Sequence, residues 1–303
     1  MTRGQQAACS PCIHPPAAIL ALVPRFQFLA PVAIALAVGT PGLARAQAEA
    51  APPVPSPPVH TLLDALKAEA KRYAADSAAF YTAPRRWSAA DWKMAGGVTI
   101  ILGGLFALDR KIDHAAQSNR SGLTNSVSGA TTTFGAAGAF EISGALLAGG
   151  LVFQDANTRD MGREAIEASV ITGLLTNLVL KPAFGRERPN VSNGRTDFQP
   201  ASRNKSFPSG HATEAFSVAS VVAMRSQGWV VPALAYTAAT LVAFDRVNDR
   251  AHFSSDVFAG AILGTVTGRF LVSRHRREEE GTPSRVSFEI RPIRSGLSAH
   301  VAF

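Results

Sequence analysis

The sequence predicts an all-α protein: a helical bundle of about six core helices, preceded by an amphipathic helix and followed by a small C-terminal β-hairpin. Three observations carry that expectation. Apolar segments recur near residues 89–109, 132–153, 163–181, 211–225, 229–244 and 255–272. These segments are rich in Ala and Gly, which lets helix backbones approach closely, and they lack the period-two alternation of a strand.

The elements follow in chain order. Arg25 precedes an apolar run from Phe26 to Val38, and Ala44-Arg45-Ala46 has the small-x-small pattern of a signal-peptidase site, so residues 1–46 read as an export signal. The run is about 13 residues, short of the roughly 20 that a transmembrane helix needs. Residues 47–59 are Pro- and Ala-rich and read as an extended linker. A helical domain is expected over 60–273, opening with Leu62, Leu63, Leu66, Ala70 and Tyr73 at helical spacing. Pro84 ends that helix, and Ser88 with Asp91 makes a capping box for the next. The polar stretches 110–131 and 186–205 read as loops, and Arg274 to Glu280 as a solvated charged face. Alternation at Val286, Phe288 and Ile290, with a turn signal at Arg294-Ser295-Gly296, predicts the hairpin.

Composition narrows the function classes. Removing the leader with Arg3, Arg25 and Arg45 lowers the formal charge from +8 to +5, a mild surplus without aromatic-basic interleaving, which argues against a nucleic-acid partner. Cys9 and Cys12, the only cysteines, both precede the expected cleavage site, so the exported product would carry no thiol, disulfide or cysteine metal site.

The chemistry concentrates at Phe207-Pro208-Ser209-Gly210-His211. Ser209 suits a helix N-cap, and amides around Ser209 and Gly210 would then favour an anion beside His211. Lys181, six residues and Arg188-Pro189 lie upstream; Arg246, five residues, His252, three residues and Asp256 lie downstream. If neighbouring helices run antiparallel, all three motifs meet at one end of the bundle. Lys181, Arg188 and Arg246 could neutralise a phosphate dianion; a neutral His252 could attack phosphorus, oriented by Asp256 one turn on; His211 could protonate the departing alkoxide and later activate water.

Together the three motifs resemble those of the type 2 phosphatidic acid phosphatase and vanadium haloperoxidase superfamily, over roughly residues 85–273. The resemblance implies the same assignments: catalytic His252, His211 and Asp256; phosphate-binding Lys181, Arg188, Ser209, Gly210 and Arg246; no metal and no cofactor. One departure is Asp245, where the family usually has Ser. The implied activity is metal-independent hydrolysis of phosphomonoesters or pyrophosphates, including lipid phosphates, through a phosphohistidine. A vanadate-dependent haloperoxidase and a non-catalytic phosphate or lipid binder are the alternatives. Asp249 and Glu214 are expected to be structural, and His60, His114, His275 and His300 solvated. Short uncharged stretches and a mean hydropathy of +0.10 favour an exported domain that is soluble or leans on a membrane, with an integral inner-membrane protein as the alternative.

Overall fold

The computed structural model describes residues 59–132, 136–191, 197–281, 287–293 and 296–302. The expected export signal, the Cys9/Cys12 pair and most of the linker lie outside the described residues. Nine α-helices are present among them: α1 (Val59–Thr82), α2 (Ala89–Ser118), α3 (Gly122–Thr132), α4 (Ala136–Val152), α5 (Ala156–Leu174), α6 (Lys181–Phe184), α7 (Gly210–Arg225), α8 (Val230–Asn248) and α9 (Ser254–Glu279). A π-helical turn, Leu175–Leu180, links α5 to α6. The C-terminal hairpin forms as expected, with β1 (Ser287–Ile293) antiparallel to β2 (Gly296–Ala302) and Ser287 facing Ala302.

Local chemistry sets the helix ends. The Ser88–Asp91 capping box opens α2, as the sequence predicts, and Asp155 caps α5 by accepting from Thr158 N at 3.0 Å. Residues 110–131, expected to be a loop, are mostly helical instead. The α2 helix runs on to Ser118, and after a three-residue break α3 begins. Ser121 and Thr124 cap one another there, Thr124 N donating to Ser121 Oγ at 3.2 Å and Ser121 N to Thr124 Oγ1 at 2.8 Å. Turn-forming residues were thus used as helix caps, a choice that local composition does not distinguish.

The centre of the bundle is α7, packed by α5, α8 and α9, with a buried core that includes Ala165, Ala168, Ile171, Val218, Val221 and Leu271. Glycines at four-residue spacing bring α9 against α7. A Cβ on Gly260 would stand 2.5 Å from the Ser209 carbonyl oxygen, and one on Gly268 2.5 Å from that of Ser217; at Gly264 it would overlap the Thr213 carbonyl. This small-xxx-small stripe lets the two backbones touch. The α1 helix docks on the bundle through Phe80, edge-on to Phe270 at 5.4 Å, and through Tyr81, whose hydroxyl donates to Ile171 O at 3.2 Å.

The outside of the bundle is apolar. Ile100, Ile101, Leu151, Val152, Leu178, Trp229 and Leu234 are all exposed. Three helices, α2, α8 and α9, are long and apolar enough to cross a membrane, and none of the apolar stretch of α2 is buried inside the protein. The protein is therefore membrane-associated, with exposed aliphatic side chains on helices of spanning length. The uncharged stretches alone understated these helices, which continue past charged residues for 30, 19 and 26 residues.

Replacing Gly264 by Leu should push α9 off α7 and cost about 1–3 kcal/mol, the usual penalty of overpacking. Chemical denaturation in detergent checks this; an unchanged midpoint would mean that the stripe does not set the α7–α9 distance.

Candidate active site

Four helix termini build the site: the end of the α5–π–α6 run, the start of α7, the end of α8 and the start of α9. Ser209 is the N-cap of α7, its Oγ accepting from Ala212 N at 3.4 Å. Its own N–H, which the sequence placed in the anion cradle, instead donates to the Asp256 carbonyl at 3.0 Å and ties α7 to α9. Gly210 and His211 occupy the first turn, where amides have no intrahelical acceptor. Gly210 also makes room for the cation, since a Cβ there would lie 3.2 Å from Lys181 Nζ. Lys181 is steadied by Asn177, which accepts from Nζ at 2.7 Å.

The two motif histidines share one electrostatic environment. Burial holds His211 well below the ordinary imidazole value, at about 4, with Arg246, His252 and Lys181 pushing the same way. Burial also lowers His252; Asp256 opposes that shift and Arg188 adds to it. Arg188 is exposed, yet its charge is felt at both His252 and Lys181. The exposed Lys205, absent from the sequence motifs, acts on Lys181 as well. His252 Nδ1 lies 2.7 Å from the Ser206 carbonyl oxygen. A carbonyl only accepts, so Nδ1 carries the proton and Nε2 keeps its lone pair.

Asp256 works through a longer route than the sequence suggests. Its carboxylate stands 3.8 Å from His252 Nδ1, near enough to act as a charge, while the Ser206 carbonyl takes the hydrogen bond. Ser206 Oγ donates to Asp256 Oδ2 at 2.6 Å, and Phe253 N donates to the same oxygen at 2.8 Å. The carboxylate therefore positions the residue that positions the imidazole.

Behind Asp256 lies a group that sequence reasoning missed, Arg186, which is 1% exposed. It donates to Asp256 Oδ1 at 2.5 Å, to Ser255 Oγ at 2.7 Å and to Asp109 Oδ2 at 2.8 Å. Its guanidinium carbon lies 4.1, 4.7 and 5.3 Å from the ring centroids of Phe253, Phe106 and Phe198. Asp109 in turn accepts from Ser255 N at 2.9 Å and Ser254 Oγ at 2.7 Å, so it caps α9 from α2. Gly185 precedes Arg186 with φ +54, and Phe198 pairs with Arg186 across the loop.

Asp245, the departure from the family pattern, is buried and contacts both the Arg246 guanidinium and Ser128 Oγ of α3. It offsets part of the charge on Arg246. Glu214 is buried near Lys181, and burial raises its carboxyl to about 7. Of the histidines expected to be solvated, His114 is exposed, but His275 is buried at the far end of α9, where Asp76 and Glu164 hold its ring. Beside the site is an apolar cavity of about 720 Å³ lined by Leu102, Phe106, Ala107, Ala183, Phe184, Phe198, Pro200 and Phe207.

Residues 165–280 match the model of the PAP2 superfamily. Two curated proteins of Arabidopsis thaliana are similar. The chain is 29% identical to "Probable lipid phosphate phosphatase 4" over 33% of this chain and 43% of that protein, and 31% identical to "Lipid phosphate phosphatase 1" over 34% and 41%. The chain thus spans about two-fifths of the length of the curated relatives it matches. The crystal structure of Aquifex aeolicus LpxE aligns with a TM-score of 0.42 at 22% identity, covering 55% of this chain and 94% of that one. That of a transmembrane PAP2-type phosphatidylglycerolphosphate phosphatase from Bacillus subtilis aligns with a TM-score of 0.47 at 22% identity, covering 60% and 95%.

Arg186→Met would strand Asp109 and Asp256 as uncompensated buried charges, and stability should fall by about 3–5 kcal/mol. Denaturation in detergent tests this, and a variant as stable as the parent would refute the role given to Arg186.

Proposed function

We propose that the protein is a metal-independent lipid phosphate phosphatase that works through a phosphohistidine. The observation that carries this reading is the gathering of His211, His252, Lys181 and Arg246 at the first turn of α7. The apolar cavity lined by Phe184 and Phe207 supports a lipid substrate, because both residues flank cradle positions and offer an acyl chain a dry wall.

Lys181, Arg188, Arg246 and the Gly210 and His211 amides would hold the phosphate oxygens, neutralising charge that otherwise repels a nucleophile. Ser209 contributes by capping the helix that presents those amides. His252 Nε2 attacks phosphorus, the P–O bond to the lipid breaks, and His211 gives its proton to the leaving oxygen. Water then attacks the phosphohistidine, His211 takes back a proton, and inorganic phosphate leaves with His252 restored. Burial and the charges of Arg246 and Lys181 lower the affinity of His211 for a proton in the free site, and a bound dianion offsets those two charges. No step requires a metal ion, since the cradle cations occupy that role.

The arginine-rich end of α9, with Arg274, Arg276 and Arg277, lies at the opposite end of that helix from Asp256. The positive-inside tendency supports a cytoplasmic position for that end, and hence a site outside the cytoplasm.

His252→Ala should lower kcat at least about 10³-fold while leaving the melting temperature close to that of the parent. Acid-labile ³²P trapped on the parent and lost in His252→Ala identifies the intermediate. Intact cells supplied with an impermeant phosphate ester should show full activity, and latency relieved only by lysis would reverse the orientation.

The acid limb of kcat/KM gives a separate check. His252 must be neutral to attack, and its pKa is lowered, so activity should persist as pH falls through 6.5, the ordinary imidazole value. A limb at or above pH 6.5, after correction for ionisation of the substrate, would remove His252 from the nucleophilic role.

A further inference from the structure

At the other end of the bundle a second group of ionisable side chains closes on itself. Asp76 of α1, Glu167 of α5 and His275 of α9 are buried, and one ligand atom from each lies within 4.8 Å of the others. From Asp256 to His275 the rise along α9 is about 28 Å at ~1.5 Å per residue, so this group is remote from the phosphate cradle.

We propose that Asp76, Glu167 and His275 form a binding site for one divalent transition-metal ion, zinc in the first instance. His275 Nδ1 lies 2.9 Å from Glu164 Oε1, and Glu164 is itself gripped by Arg225 Nε at 2.9 Å and Nη2 at 2.5 Å. A carboxylate that fixes the Nδ1–H tautomer leaves Nε2 with its lone pair, the arrangement found behind metal-ligating imidazoles. That lone pair faces Asp76 Oδ2 at 3.1 Å and Glu167 Oε2 at 3.9 Å. Two carboxylates and an imidazole nitrogen turned toward one another need an electropositive centre between them, either a proton on Nε2 or a metal ion that replaces it.

Glu167 supplies the independent observation. Its side chain is 0% exposed, and neither carboxylate oxygen has a hydrogen-bond partner. Arg72 Nη2 approaches Oε2 at 3.1 Å as an ion pair without hydrogen-bond alignment. Asp76 is oriented for the same centre, because Arg274 Nε takes Oδ1 at 2.6 Å and leaves Oδ2 inward. Tetrahedral zinc with bonds of ~2.0–2.1 Å sets its ligands about 3.3 Å apart, within the spread seen here. One nitrogen and two oxygens suit zinc or manganese better than the all-oxygen preference of calcium or magnesium. A polar cavity of about 170 Å³ reaches His275 and is lined by four arginines together with Asp160, Glu164 and Glu279. The ion would join α1, α5 and α9, which are separate in sequence.

The test uses the full-length chain in detergent, loaded with zinc, dialysed and analysed for metal by mass spectrometry. The parent should retain about one zinc per chain, with retention at least tenfold lower in Glu167→Gln and His275→Gln. Glu164→Gln should weaken zinc affinity about 10–100-fold. Cobalt(II) loading of the unaltered chain reads the site even if the variants fail to fold, giving visible d–d bands that zinc displaces. Substoichiometric zinc with no cobalt spectrum would mean an imidazolium salt bridge only and overturn the proposal. So would variants, Glu167→Gln or His275→Gln, that retain zinc as the parent does.

Discussion

The candidate site depends on one buried cation. Arg186 carries a full charge in a place almost closed to water, and it is tolerable there because two carboxylates, a hydroxyl and three aromatic faces surround it. The partners come from three parts of the chain: Asp109 and Phe106 from α2, Phe253, Ser255 and Asp256 from the start of α9, and Phe198 from the loop that follows α6. The ion pair therefore joins the elements that must meet for the cradle to exist. From Asp256 the order passes to Ser206, and from the Ser206 carbonyl to His252 Nδ1. The tautomer of the His252 imidazole is thus set through three contacts that begin at Arg186.

The bundle has two polar ends and an apolar waist. Glycines at 260, 264 and 268 allow α9 to lie against α7 along its length, so the same pair of helices contributes to both ends. His252 and Asp256 stand at the start of α9, and His275 near its finish, where it meets Glu164 and Asp76. Aliphatic side chains cover the surface between, on helices long enough to cross a hydrocarbon layer. Buried hydroxyls along the waist, such as Thr172, Ser217 and Thr267, are bonded to carbonyls of their own helices.

Much of the site was legible because its parts are local. The N-cap at Ser209, the one-turn spacing of His252 and Asp256 and the helix ends carrying each motif all follow from residue type and short spacing. Arg186, Asp109 and His275 were not legible in this way. In sequence, Arg186 is one of several arginines in a polar loop, Asp109 the end of an apolar run, and His275 one member of a mixed-charge stretch. Burial depends on what other segments bring, and pattern in one segment is silent about that. The same limit explains residues 110–131, whose Ser, Asn and Gly are turn formers until Ser121 and Thr124 cap a helix.

By itself the sequence determined the helical class and the positions of the motifs at helix ends, since these rest on periodicity, capping and fixed spacing. Tertiary structure alone decided which carboxylate meets which guanidinium, that the Ser206 carbonyl rather than Asp256 takes the Nδ1 proton, and that His275 is enclosed. Hydrogen bonds and ion pairs act over about 3 Å. Residues tens of positions apart come within that range only after the backbone has closed around them.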